Sequence, residues 1–138
     1  VPAKKKILVV EDDSDMRIFI STILKTGGFK PMVAKNGKDG MNKAEKENPA
    51  CIIMDVPMSE NTGMLMYQHL KQDRKLQYIP VIMISAIDKL TFIHYQKTKG
   101  IRLGQDIISP EGFLEKPPEA AELLELIQDI LSRGSQKQ

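Results

Sequence analysis

No stretch limits the possible folds of this chain more than Ile7-Leu8-Val9-Val10-Glu11-Asp12-Asp13, an apolar run that stops abruptly at three consecutive carboxylates. Each unpaired buried charge costs several kcal/mol, so the acids must sit where a buried strand leaves the core. In open α/β sheets that position, outside the carboxyl ends of the strands, is where ligands bind. A second apolar run, Cys51-Ile52-Ile53-Met54, also ends in an acid, Asp55, and a third, Val81-Ile82-Met83-Ile84, ends in Ser85 and Ala86. Three strand ends thus offer a carboxylate cluster, a lone carboxylate and a hydroxyl. That outlines a site for a metal ion and a phosphate.

The periodicity along the chain supports this reading. Strands are predicted over 6–10, 30–34, 51–54, 81–85 and 113–115, and helices over about 14–26, 37–47, 63–74, 88–99 and 118–132. Ser14 is the expected N-cap of the first helix, whose Met16, Phe19, Ile20, Ile23 and Leu24 recur at helical spacing before Gly27-Gly28 stops it. Asp13 lies beyond the paired acids by register and is assigned a capping role at the same helix. Pro118 is expected in the first turn of the last helix, with Ala121, Leu124, Ile127 and Leu131 as its apolar stripe and Leu123 and Ile130 widening it. Strands alternating with helices imply a parallel sheet covered on both faces. Segment 100–112, with Gly100, Gly104, Pro110 and Gly112, reads as irregular, and 134–138 as a polar tail.

Composition removes several function classes. A length of 138 residues suits one domain with an unstapled core, and a net charge of +2 lacks the basic bias of a nucleic-acid surface. Lys4-Lys5-Lys6 is the only basic run and reads as a solvated entry to the first strand. The single cysteine, Cys51, excludes an intrachain disulfide, suits a reducing cytoplasm and reads as a small buried residue. No apolar stretch spans a membrane and no signal-peptide core appears. The chain begins at Val1, which processing or a longer natural protein accounts for.

Taken in order, ILVVEDD, IIMDVPMSENTG, VIMISA and FLEKP resemble the receiver domain of bacterial two-component response regulators, over nearly the whole chain. The resemblance implies a flavodoxin-like, doubly wound α/β fold with a five-stranded parallel sheet in the order 2-1-3-4-5 and helices on both faces. The domain would cover 1–133. It implies that Asp55 is the phosphoacceptor and that Asp12, Asp55, the backbone carbonyl of Pro57 and, through water, Glu11 hold Mg²⁺. Lys116 would bridge Asp55 and the phosphoryl group, Ser85 would follow a phosphoryl oxygen, and Phe113 would turn inward with it. The donor of the phosphoryl group would be a histidine kinase or phosphotransfer protein. A surface built from the fourth helix, fifth strand and fifth helix would face an effector or dimer mate, with no direct contact to nucleic acid or membrane. Any enzymatic activity would go no further than self-phosphorylation and autodephosphorylation. A cis Lys116-Pro117 bond is also implied.

The chemistry agrees with those assignments. Two carboxylates about 5 Å apart repel by roughly 3 kcal/mol at an effective dielectric near 20, so a cluster of three favours a divalent cation. Magnesium suits few carboxylates, because it keeps waters and phosphate oxygens in its octahedron. Pro57 keeps the carbonyl that the family uses for the metal but lacks the N–H that can donate to the phosphoryl group, so the phosphoryl grip is expected to change. Ser59 replaces a common proline of the family. Thirty residues separate Ser85 from Lys116, a longer interval than the family pattern, and the surplus is placed in 100–112. Leu90, Phe92, Ile93 and Tyr95 supply apolar material for a partner surface there, while His69 and His94 read as helix-surface residues remote from the acids.

Two other readings are weaker. A phosphatase or mutase using an aspartyl phosphate needs a general acid two residues after the nucleophile, and Pro57 cannot transfer a proton. A receiver-like interaction module that is never phosphorylated has no reason to keep Asp12, Asp55, Ser85 and Lys116. No Gly-rich Lys-Ser/Thr loop for nucleotide binding is present.

Overall fold

The computed structural model describes residues 3–56, 62–99, 102–103, 106–107 and 110–136. The elements run β1 (Lys6–Val10), α1 (Ser14–Thr26), β2 (Lys30–Ala34), α2 (Gly37–Glu47), β3 (Cys51–Asp55), α3 (Thr62–Gln72), β4 (Val81–Ser85), α4 (Lys89–Lys99), β5 (Arg102–Leu103), β6 (Asp106–Ile107), β7 (Gly112–Glu115) and α5 (Ala120–Gln136). Five strands pair in parallel in the order β2-β1-β3-β4-β7. The expected 2-1-3-4-5 sheet is therefore present, with β7 as its fifth strand.

Alternation of side chains along each strand divides the interior into two cores. Leu8, Val10, Ile52, Met54 and Met83 face the side that carries Ala44 of α2, Met66 and Leu70 of α3 and Phe92 of α4. Ile7, Val9, Ile53, Ile82 and Ile84 face the other, where Ile20 and Leu24 of α1 meet Leu123, Ile127 and Ile130 of α5. Burial on both faces is why these strands read as unbroken apolar runs rather than alternating ones. Each such side chain contributes about 1.5–3 kcal/mol on leaving water, which fixes the register that carries the strand tips.

Helix ends follow local chemistry. Asp13, not Ser14, is the N-cap of α1: its Oδ2 accepts the Met16 N–H at 2.9 Å, and Ser14 is already the first helical residue. A carboxylate accepts that orphan N–H and also favours the positive end of the helix dipole. After Gly27 the chain turns at Gly28, whose φ of +88° suits a residue without a Cβ. Asn36 caps α2 through the Asp39 N–H at 2.8 Å.

Four differences from the sequence reading concern the last third of the chain. Segment 100–112 is not wholly irregular, because β5 and β6 pair antiparallel, Arg102 opposite Ile107 and Leu103 opposite Asp106. The segment returns to the sheet at Glu111, whose Oε1 accepts the Val81 N–H at 2.6 Å. Pro118 is buried but lies before α5, whose first turn closes from the Glu119 carbonyl to the Leu123 N–H at 2.9 Å. The centre of the α5 stripe is Leu123, Ile127 and Ile130, whereas Ala121 is exposed and Leu124 and Leu131 are half-buried. The residues expected to widen the stripe, Leu123 and Ile130, therefore form its centre with Ile127, and Leu124 and Leu131 flank it. The helix also continues to Gln136, into the expected polar tail. No described helix is long and apolar enough to cross a membrane.

Candidate functional site

Parallel strands place the residues that follow β1, β3, β4 and β7 along one edge of the sheet. Glu11 follows β1 and is still held by the sheet, its N–H donating to the Ala34 carbonyl at 3.0 Å. Its side chain is buried, and Oε2 accepts the Asp13 N–H at 3.1 Å. Asp12 stands exposed beside it. Asp55 is the last residue of β3, buried and in register with Ile84. Lys116 follows β7, and its N–H donates to the Ser85 carbonyl at 2.8 Å, which extends the β4–β7 ladder by one rung. The Lys116-Pro117 peptide is cis, as the resemblance implies.

Three segments distant in sequence thus converge. Lys116 Nζ lies 2.8 Å from Asp55 Oδ2 and 2.9 Å from Glu11 Oε1. Ligand atoms of Glu11, Asp12 and Asp55 all fall within 4.8 Å of one another. Glu11 and Asp55 therefore share one ammonium group, with the Asp12 carboxylate beside them. Burial pushes the Glu11 carboxyl up to about 7, against the pull of Lys116 and the Asp13 N–H, and neighbouring Asp55 pushes it further upward. Burial acts to lower the Lys116 ammonium, but its close pairing with the Asp55 and Glu11 carboxylates outweighs this and the net shift is upward. Glu11 Oε1 faces the ammonium without forming a well-directed hydrogen bond and is left as a buried, unsatisfied acceptor. A hard divalent cation matches that donor set, since it takes oxygen ligands and neutralises the excess carboxylate.

Ser85 is fully buried, and its Oγ accepts the Ile87 N–H at 3.2 Å, a bond that leaves the hydroxyl hydrogen free to donate. Phe113, half-buried on β7, packs against Phe92 of α4 with ring centroids 5.3 Å apart and planes tilted by 36°. Pro57 and Ser59 lie outside the described residues, as does the side chain of Tyr95. Of the apolar residues assigned to a partner surface, Leu90 is exposed, Ile93 half-buried and Phe92 part of the core. His69 and His94 are exposed on α3 and α4. Burial holds the Cys51 thiol at about 12, which removes it as a nucleophile.

The sequence reading missed Arg17. From the first turns of α1 its Nη1 donates to the Glu11 carbonyl at 2.8 Å and the Asp12 carbonyl at 3.1 Å, so the acidic loop is fastened from below. Its spacing of five residues from Asp12, one turn into a capped helix, was the available signal. The Phe92–Phe113 pair was also missed, because nothing local in the sequence links two residues on different elements.

A family model described as the response regulator receiver domain matches residues 7–128. Among curated proteins, the chain is 32% identical over 93% of its length to a histidine kinase P4 of Formosa agariphila, of which the match covers 9%. It is 30% identical over 94% of its length to the alkaline phosphatase synthesis transcriptional regulatory protein PhoP of Bacillus subtilis, and 27% identical over 95% to the phosphate regulon regulator PhoB of Escherichia coli. The chain spans about half the length of those two regulators, 50% and 53%. Among solved structures, the chemotaxis response regulator CheY4 of Vibrio cholerae superposes with a TM-score of 0.76 at 24% identity, covering 93% of this chain and 99% of that one. A receiver domain protein of Clostridium thermocellum gives a TM-score of 0.77 at 20% identity, covering 97% and 99%. Receiver domains are phosphorylatable switches of two-component signalling that act with histidine kinases and effectors and generally bind Mg²⁺ in an acidic pocket. On its matching sequence, its sheet order and its converging acids, this chain belongs to the response regulator receiver domain family.

Proposed function

We propose that Asp55 is the phosphoacceptor of a cytoplasmic phosphorelay, taking its phosphoryl group from a phosphohistidine on a histidine kinase or phosphotransfer protein. The observation that carries this reading is the Lys116 ammonium, 2.8 Å from Asp55 and 2.9 Å from Glu11. An Asp55 carboxylate oxygen attacks phosphorus in line, the P–N bond breaks, and the imidazole nitrogen of the donor leaves with the bonding electrons. Such a transfer asks the protein mainly for position and for cancellation of charge on the equatorial oxygens. Lys116 supplies one positive charge. Glu11, Asp12, Asp55 and the carbonyl of Pro57 are the groups that would hold Mg²⁺, whose chemistry here is neutralisation of phosphoryl charge.

The gain of roughly two negative charges beside Ser85 gives its hydroxyl an acceptor. Ser85 donates to a phosphoryl oxygen, and β4 shifts with it. Phe113, on the neighbouring strand, then repacks against Phe92, and the α4–β7–α5 surface presented to an effector or dimer mate changes. The receiver unit covers 1–133 of the chain. Incubation with acetyl phosphate and Mg²⁺ tests the first step: a phosphoryl mass adduct is expected on the parent chain, none on Asp55→Asn, and none when magnesium is withheld. A parent chain without an adduct would overturn the assignment.

A further inference from the structure

β7 is the last strand of the five-stranded sheet, paired with β4 on one side only among the described residues. Along its open edge runs a groove of about 660 Å³, bounded by β7 and α5, with Phe113, Leu114 and Leu126 supplying its apolar lining and Glu122, Glu125 and Asp129 its rim. A second recess of about 410 Å³ shares Phe113, Leu114 and Glu122 and adds Glu115 and Glu119 at its acidic margin. The two form one trough along the strand edge. The chain as a whole carries slightly more basic than acidic residues, yet from Glu119 to Ser132 there are four acids and no lysine or arginine. Positive charge borders only one end of the trough: Lys89 and Lys116 line the smaller recess, the larger groove is lined by no lysine or arginine among the described residues, and Arg133 is tied to Asp129 at 3.1 Å.

We infer that this trough docks a basic segment of a partner protein, with apolar side chains seated on Leu114 and Leu126 and lysine or arginine side chains facing Glu122, Glu125 and Asp129. A second copy of the chain fits it poorly, because a two-fold interface sets the same patch against itself and would oppose two rows of carboxylates. Charge complementarity selects the partner's sign, and the open strand edge supplies backbone donors and acceptors for an extended segment. The inference rests on the α4–β7–α5 output surface proposed above only in naming the segment an effector's; seating of the segment does not require Asp55.

The test titrates the isotopically labelled full chain with a leucine–lysine peptide and follows backbone amide shifts, beside two control peptides, leucine–glutamate and serine–lysine. Shifts at Phe113, Leu114, Glu122 and Leu126 are expected with leucine–lysine alone. The exposed substitutions Glu122→Lys and Glu125→Lys together should weaken binding at least tenfold while leaving phosphoryl uptake by Asp55 unchanged. Equal binding of the serine–lysine peptide, shifts centred elsewhere, or a dimer in sedimentation that Leu126→Ala disperses would overturn the inference. Absence of peptide binding in a chain that still takes up phosphoryl groups would overturn it alone, and a seated peptide in a chain that takes up none would support it while the phosphorelay reading fails.

Discussion

Glu11 carries the least comfortable charge in the molecule, since its carboxyl is buried, shares Lys116 with Asp55 and keeps one oxygen without a directed hydrogen bond. Its folded value of about 7 lies above the ordinary 4.5, with burial the largest cause. In that interval the folded state keeps a proton that the unfolded chain has released, so stability falls as pH rises. Metal-free protein should therefore have its full contribution below about 4.5 and lose on the order of 3 kcal/mol as pH passes through 7. Urea denaturation in chelator at pH 5 and pH 7.5 checks this, and Glu11→Gln should flatten the dependence. An unchanged slope in that variant would assign the effect to another group. At the foot of the same loop, Asp13→Ala removes the acceptor for the Met16 N–H and should cost about 1 kcal/mol, read by the same method at constant pH.

At the scale of elements, Gly112 shows how tightly α5 closes on β7. A Cβ there would lie 2.9 Å from Leu126 Cδ2, 3.2 Å from Ile82 Cγ1 and 3.3 Å from Ile130 Cδ1. Gly112→Ala should lose about 1–3 kcal/mol in urea denaturation through overpacking, with the strain falling on the helix that lines the trough. Much of this architecture was legible in the sequence. β1, β2, β4, α1 and α2 fall where periodicity and punctuation put them, because their apolar runs are bounded by Gly, Pro and Asx chemistry that acts locally. The β5–β6 pair was not, since two-residue strands carry too few side chains to establish a period of two. The α5 stripe was centred one position off because apolar residues occupy 123, 124, 126, 127, 130 and 131, an arc wider than the buried face, and periodicity alone does not choose its middle. Within the site, Glu11, Asp12, Asp55 and Ser85 could be picked out because each ends an apolar run, and Lys116 only through the resemblance of FLEKP to the family. Arg17 and the pairing of Phe92 with Phe113 could not, because both depend on how elements pack.

For the whole molecule, folding and assembly of the acidic site are one event. Glu11, Asp12 and Asp55 meet only when β1 and β3 are in register in the sheet, so a cation that needs all three binds the folded chain and not the unfolded one. Such a ligand stabilises by about 2.7 kcal/mol at a hundred times its dissociation constant. Magnesium should accordingly raise the thermal midpoint, saturably, with Asp55→Asn removing most of the rise because it withdraws a ligand charge. Sodium chloride at equal ionic strength should give little, since a screening effect has no saturating midpoint. The rise should be larger at pH 7.5 than at pH 5.5, because the metal requires Glu11 ionised and at the lower pH must displace its proton. Differential scanning calorimetry across both pH values and both salts separates these terms. A midpoint that ignores magnesium at pH 7.5, or one that Asp55→Asn leaves equally responsive, would mean that the three carboxylates lie close together without acting as a site.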